Sequence, residues 1–367
     1  MILPPRPASY DKTVALVLQG GGALGSYQAG AYEAIAGSEY PPDWVAGISI
    51  GAINAALIAG NPPARRVERL RSFWETVTTR TMAGPRLFAP ALRQAASARA
   101  VMAGQPGFFT PRPPLDFLGS RPALSYYDTT KLRGTLERLV DFDRINAREM
   151  AFSVAAVNVR SGNFEWFDNR HMKIRLEHVM ASGALPPGFP PVEIDGELYW
   201  DAGLVSNTPL QYVLEYSPRS SRLTFQVDLF AAAGPMPTSL DEVSEREKDI
   251  RYSSRTRAGT TAARETHDLR YHVNTLWEQL SPALKATPAA RYLYNFGCVT
   301  TMDVVQLIYR PAERQGSGKA YEFSRESMEV RWAQGRADAA RTLEAAPWLA
   351  PMPPELGARS FDVLRPD

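Results

Sequence analysis

Residues 14–35, VALVLQGGGALGSYQAGAYEAI, and residues 44–60, WVAGISIGAINAALIAG, decide how this chain is read. Each is a short β-favouring apolar run that ends in glycines and opens into helix-forming sequence, so each predicts a strand, a tight loop and a helix. The predicted strands run over 14–18 and 44–48, and the predicted helices over 26–36 and 50–59, the second stopped by Gly60-Asn61-Pro62. The second loop places Ser49 in a Gly-x-Ser-x-Gly setting between Gly47 and Gly51. Small flanking residues permit the strained bend that exposes a serine hydroxyl. The helix N-terminus behind it favours developing negative charge.

Outward from these turns the same alternation continues. MAFSVAAVNV (150–159) predicts a strand, NFEWF its returning neighbour, and 171–182 a helix. Further strands are expected over 222–230 and 302–309, a charged helical region over 241–280, and an amphipathic helix over 324–343. The proline-rich end from Pro347 reads as loosely packed. Alternating strands and helices predict an α/β fold, a predominantly parallel central sheet with helices on both faces. Both glycine turns then fall at the carboxyl ends of neighbouring strands, where such sheets bind ligands.

Composition bounds the function. A hydrophobic share of 44% and a charged share of 22% are those of an ordinary globular protein, and a formal net charge of +2 gives no sign of a nucleic-acid partner. The single cysteine, Cys298, fits a reducing compartment. The opening MILPPRPASYDKTV lacks the pattern of a secretory signal, and no apolar run approaches ~20 residues, so a cytoplasmic protein is expected. His171, His178, His267 and His272 form no metal signature, and neither a metal nor a cofactor is expected.

Three chemistries compete for the glycines. Gly20, Gly22 and Gly25 satisfy a dinucleotide fingerprint, yet the second strand ends in the Ser49 turn instead of the acid that would hold a ribose, and Asp43 lies before that strand. In a Ser-Asp-His hydrolase the nucleophile follows several strands, whereas Ser49 follows one. A third reading uses a later passage as well: ASGALPPGFPP (181–191), WDAG (200–203) and VSNTPL (205–210).

Together QGGGALG, GISIG and WDAG, in this order, resemble the patatin-like phospholipase family, with the likeness running from about Val14 to Leu210. The resemblance implies a Ser-Asp dyad without histidine: Ser49 as nucleophile and Asp201 as base, acting on a lipid or other acyl ester through an acyl-enzyme. It implies an oxyanion loop of Gly20, Gly21 and Gly22 assisted by the Ile50 amide, with Gly25, Gly47, Gly51 and Gly203 as supporting motif positions. Backbone amides fixed around an oxyanion are each worth on the order of 3 kcal/mol. Asp195, also followed by glycine, is the alternative base, although Asp-Gly is more simply a hairpin turn. Asn54 reads as structural, and Asn207 as a tie for the loop after Asp201. Two positions depart from the family pattern. Leu24 stands where the loop usually carries Arg or Lys, and Ala202 stands where glycine is usual, a place where φ > 0 would be costly.

The interval 79–121 carries Arg80, Arg86, Arg93, Arg99, Arg112 and Arg121 against Asp116 alone, among Leu87, Phe88, Leu92, Val101, Met102, Phe108, Phe109 and Phe117. Two readings stay open for it: a cap that covers an acyl pocket and rests peripherally on the inner membrane surface, or a solvated insertion. The expected organisation is a catalytic domain over 1–230 with this cap-like insertion at about 79–127. A C-terminal extension over 231–367 would complete the same domain, and its FSRESMEVRW stretch (323–332) has no role that sequence reveals. A lipid-binding or regulatory protein without turnover is the rival to an enzyme.

Overall fold

A computed structural model describes residues 6–80, 89–118, 123–353 and 356–365. The strands are β1 (Thr13–Leu18), β2 (Trp44–Gly47), β3 (Thr110–Pro111), β4 (Tyr127–Asp128), β5 (Ala151–Asn158), β6 (Phe164–Asp168), β7 (Val192–Ile194), β8 (Glu197–Asp201), β9 (Arg222–Asp228), β10 (Met302–Ile308) and β11 (Ala358–Phe361). The helices of the first half are α1 (Ser26–Ala36), α2 (Ile50–Ala59), α3 (Arg66–Thr76), α4 (Ala89–Ala103), α5 (Thr130–Leu139) and α6 (Phe142–Asn146). Those of the second half are α7 (Leu176–Ser182), α8 (Leu210–Glu215), α9 (Leu240–Gln279), α10 (Pro282–Lys285), α11 (Pro288–Phe296) and α12 (Arg325–Ala345).

The strands other than β3 and β4 form one sheet in the order β11-β10-β9-β1-β2-β5-β8-β7, with β6 also on β5. The run from β11 to β5 is parallel, and β6, β7 and β8 are antiparallel additions at one side. The central strand β1 is apolar throughout from Val14 because it is buried on both faces. Val14, Leu16 and Leu18 pack into the larger core with α1, α2 and α3, while Ala15 and Val17 face Leu210, Val213 and Ala263 on the other side.

The segment beyond residue 230 contributes to this sheet and its cover. β10 and β11 lengthen the parallel array beyond β9, and α12 packs on α1 at backbone contact distance. That approach needs glycine on both helices. A Cβ on Gly30 would run into the Trp332 carbonyl, and one on Gly335 into the Tyr27 carbonyl. At the strand ends remote from the glycine turns, Lys12 Nζ (2.7 Å), the Tyr10 hydroxyl (2.9 Å) and Arg359 Nε (2.8 Å) all donate to the buried carboxylate of Asp303 in β10. Every oxygen of that acid is satisfied by the fold itself, so the cluster is structural.

Two expectations are corrected. The end beyond Pro347 is tied down: Trp348 is buried, and β11 is held by Asp268 Oδ1, which accepts from the Gly357 and Ala358 amides at 2.8 Å each. The helix predicted from residue 171 starts at Leu176, where the Arg175 amide donates to His178 Nδ1 at 2.9 Å and fixes the entry. The interval 79–121, for which the sequence predicts no particular secondary structure, contains the helix α4, whose alanine-rich sequence carries helix propensity without the periodicity of a buried face. Of the residues named in that interval, Arg86, Leu87, Phe88 and Arg121 lie outside those described.

Candidate active site

Strand register explains why Ser49 and Asp201 meet. β2 pairs with one edge of β5 as far as Gly47 opposite Val154, and two residues further along β5 Ala156 faces Asp201 of antiparallel β8. Because β6 occupies the other edge of β5, β8 continues the line that β2 leaves. Ser49 stands two residues beyond Gly47, in the corner opposite the end of β8. Both residues line one cavity, and the Ser49 side chain is near enough to the Asp201 carboxylate to oppose the rise in its pKa.

Ser49 pays for that position in backbone conformation, with φ 57° and ψ −122°. The bend is enforced by its neighbours, since a Cβ on Gly47 would strike the Gly51 carbonyl and one on Gly51 the Leu18 carbonyl. The Ser49 amide donates to Ser182 Oγ at 3.2 Å, which ties the turn to the end of α7. Ile50 opens α2, whose residues are all buried, so the positive end of that helix acts in a poorly screened surrounding. Asn54 serves the scaffold: its Nδ2 donates to the Gly25 carbonyl and Gln28 Oε1 at 2.9 Å each.

Asp201 ends β8 with only 1% of its surface exposed. Burial pushes its pKa up to about 7, against the opposing effects of the Ser49 hydroxyl and the Gly203 amide, which donates to Oδ1 at 2.7 Å. Ala202 does not disturb this geometry. It keeps a negative φ, and its methyl packs with Ile48 and Ala155. Gly203 is the position with no room, as a Cβ there would lie 3.0 Å from Asp201 Oδ1.

The first glycine loop is held residue by residue. Gly20 exchanges hydrogen bonds with Asn207, its amide donating to the Asn207 carbonyl (3.2 Å) and its carbonyl accepting from Asn207 Nδ2 (3.0 Å). Gly21 rests on Leu229, 2.6 Å from where its Cβ would be, and Gly22, at φ +58°, abuts the Ala320 carbonyl. Gly25 lies against Ile50 and Trp74. Among the described residues, the Gly21 and Gly22 amides have no hydrogen-bond partner. Leu24 is fully buried in the core, so its replacement of a basic residue leaves the loop's outer face unchanged.

A cavity of about 360 Å³ opens over Ser49, Asp201 and Gly20 to Gly22. One wall is aromatic: Phe108, Phe109 and Tyr127 from the insertion meet Phe189 from the turn after α7, with ring centroids 4.9–6.2 Å apart where they touch. The facing wall comes from beyond β9. Phe230, Tyr252 and Tyr321 line it together with Lys248 and Lys319. Sheet order separates the walls, since β9 and β5/β8 lie on opposite sides of β1 and β2. Lys319 is neutralised by Asp249 (2.5 Å) and Glu245 (3.4 Å). Lys248 Nζ donates to the Ser317 carbonyl at 2.8 Å and has no carboxylate partner among the described residues.

The remaining candidates fall elsewhere. Asp195 (φ 52°) and Gly196 (φ 86°) make the turn between β7 and β8, and Asp195 is bridged to Arg175 at 2.8 Å, outside the cavity. Among the described residues no histidine lines the cavity. His178 is buried against Phe167 and pushed down to about 4, first by burial, while His267 Nε2 contacts the Thr300 carbonyl. Among the described residues no group of His, Cys, Asp and Glu could hold a metal ion, and no helix is long and apolar enough to cross a membrane.

A strained serine and a buried carboxylate thus share one cavity with the glycine loop, at the carboxyl ends of the parallel strands β1 and β2. A family model described as patatin-like phospholipase matches residues 16–214, more than half of the chain, and a second, described as patatin phospholipase, matches residues 250–355. The chain belongs to the patatin-like phospholipase family. It is similar to VipD from Legionella pneumophila, at 15% identity over 90% of this chain and 66% of that one with a TM-score of 0.38. It is also similar to human GIVD cytosolic phospholipase A2, at 12% identity over 90% of this chain and 59% of that one with a TM-score of 0.41. The chain thus spans less than two thirds of the length of each. No curated protein sequence matches it.

Proposed function

We propose that the protein is an acyl-ester hydrolase of the lipid type, in which Ser49 is the nucleophile and Asp201 its base. The observation that supports this reading is the approach of the Ser49 side chain to a carboxylate that burial holds at about 7, in a cavity that Gly21 and Gly22 also line. Asp201 takes the proton from Ser49 Oγ as that oxygen bonds to the ester carbonyl carbon. The carbonyl oxygen, now negative, is received by the Gly21 and Gly22 amides with help from Ile50 at the head of α2. The C–O bond to the alcohol then breaks and Asp201 returns the proton to the departing alkoxide. Water repeats the sequence on the acyl-enzyme, with Asp201 as base, and Ser49 is regenerated. An acid with a pKa near 7 protonates an alkoxide readily, so esters suit the pair better than amides.

The residues lining the cavity support a choice of ester. The aromatic wall of Phe108, Phe109, Tyr127 and Phe189 takes the acyl chain, and Lys248 gives the opposite wall a positive charge for an anionic alcohol half such as a phosphate ester. The test is a panel of esters with one acyl chain, in which a neutral monoacylglycerol is compared with its glycerophosphate counterpart. Wild type is expected to hydrolyse both and to favour the phosphate ester in kcat/KM by about tenfold. Lys248→Met is expected to bring that ratio near one. Absence of turnover on every ester would refute the hydrolase, and a ratio unaffected by Lys248→Met would refute the role of the lysine.

A further inference from the structure

The amide of Gly22 is aimed through two planar peptides, and the far end of that chain is a buried arginine from the C-terminal segment. Arg331 in α12 is 1% exposed, and its Nη1 donates to the Ala23 carbonyl at 3.3 Å. The peptide that carries this carbonyl also carries the Leu24 N–H, which donates to the Gly21 carbonyl at 3.3 Å. The Gly21 carbonyl in turn shares its peptide plane with the N–H of Gly22, a cavity-lining residue whose amide has no hydrogen-bond partner among the described residues. Because each peptide is rigid, holding one carbonyl fixes the direction of the N–H on its other side. A cation at the head of the chain also polarises each link towards the free N–H, where an oxyanion would sit.

The same guanidinium holds the second support of the loop. Nη1 donates to the Glu322 carbonyl at 2.9 Å and Nη2 to Glu322 Oε2 at 3.1 Å, and the Glu322 carboxylate is also 1% exposed. Glu322 caps the turn Lys319–Tyr321, whose Ala320 carbonyl abuts Gly22. Arg331 therefore touches the loop directly at Ala23 and indirectly through the turn that backs Gly22. A buried ion pair is costly to desolvate and is weak support for stability alone, so its placement against this loop calls for another reason.

We propose that Arg331 is a positioning residue for the Gly22 oxyanion donor, which makes the segment around residues 319–331 a working part of the site. The proposal rests on Ser49 and the glycine loop acting as described above. Two variants separate positioning from bulk stability. Arg331→Lys keeps a charge opposite Glu322 but cannot reach Ala23 and Glu322 together, and Arg331→Met with Glu322→Gln removes both buried charges. Both are expected to lose roughly tenfold to a hundredfold in kcat and in fluorophosphonate labelling rate, with KM within about twofold of wild type. The thermal midpoint of the double variant should lie near that of wild type. Loss of kcat that tracks the midpoint and disappears in the double variant would make the role structural and overturn the proposal, as would wild-type kcat in Arg331→Lys. The Gly22 amide resonance in a Ser49→Ala background reads the relay without turnover. It should move on Arg331→Lys; an unmoved resonance would overturn the relay, whereas a moved resonance in a protein that hydrolyses no ester would leave it standing and refute the hydrolase.

Discussion

Asp201→Asn is expected to lower kcat/KM on a neutral acyl ester by about 10²–10⁴-fold, because the amide can still accept a hydrogen bond from Ser49 but cannot take its proton. The pH profile gives the sharper signature. The carboxylate is the working form, and burial raises its pKa to about 7, so wild-type kcat/KM should rise with pH through about 7 and level off above it. The variant should lack that limb. Stability moves the other way. A carboxyl whose folded pKa lies above its unfolded value stabilises most at low pH and loses that contribution as pH rises through about 7. Asn carries no such cost, so the variant should equal or exceed wild type in urea midpoint at pH 8. Full activity in Asp201→Asn would move the base elsewhere, with Asp195 the next candidate despite its exposed pairing with Arg175.

Gly22→Ala is expected to reduce kcat by about 10²-fold or more and to cost roughly 1–3 kcal/mol of stability. Two causes add: the residue sits at φ +58°, and its Cβ would meet the Ala320 carbonyl. The loop must shift, and the amide shifts with it. Gly162 supplies the control, at φ +72° with nothing within 4 Å of a Cβ. Gly162→Ala should show a modest loss of stability and wild-type kcat. Equal kcat for Gly22→Ala and wild type would mean that this amide does not serve the reaction.

The two proposed reacting groups stand out in the sequence because each lies in a local pattern: Ser49 in a turn whose glycines are required by backbone contacts, and Asp201 at the end of a short strand before a tight turn. Parallel alternation was legible for the same reason, as β1 and β2 announce themselves by apolar runs that end in glycine. Of the cavity walls, only Phe108 and Phe109 lay in a segment that one of the two open sequence readings set over an acyl pocket, and their meeting with the other lining residues was not legible. Phe109, Phe189, Lys248 and Tyr321 are far apart in the chain and come together only through the order β9-β1-β2-β5-β8, which no local pattern encodes. FSRESMEVRW shows the limit most clearly. Its Phe323 lines the cavity and its Arg331 reaches the glycine loop, yet as sequence it is an ordinary amphipathic helix start. The tail beyond Pro347 misled through composition: prolines predict loop, but Trp348 and the pairing of β11 with β10 decide its packing.

The central claim is that Ser49 is the nucleophile, and the direct measurement is intact-mass and peptide mapping after reaction with a fluorophosphonate. One adduct per chain, located on Ser49 in wild type and absent from folded Ser49→Ala, is the predicted result. No adduct on wild type, or the same adduct on both proteins, would contradict the account.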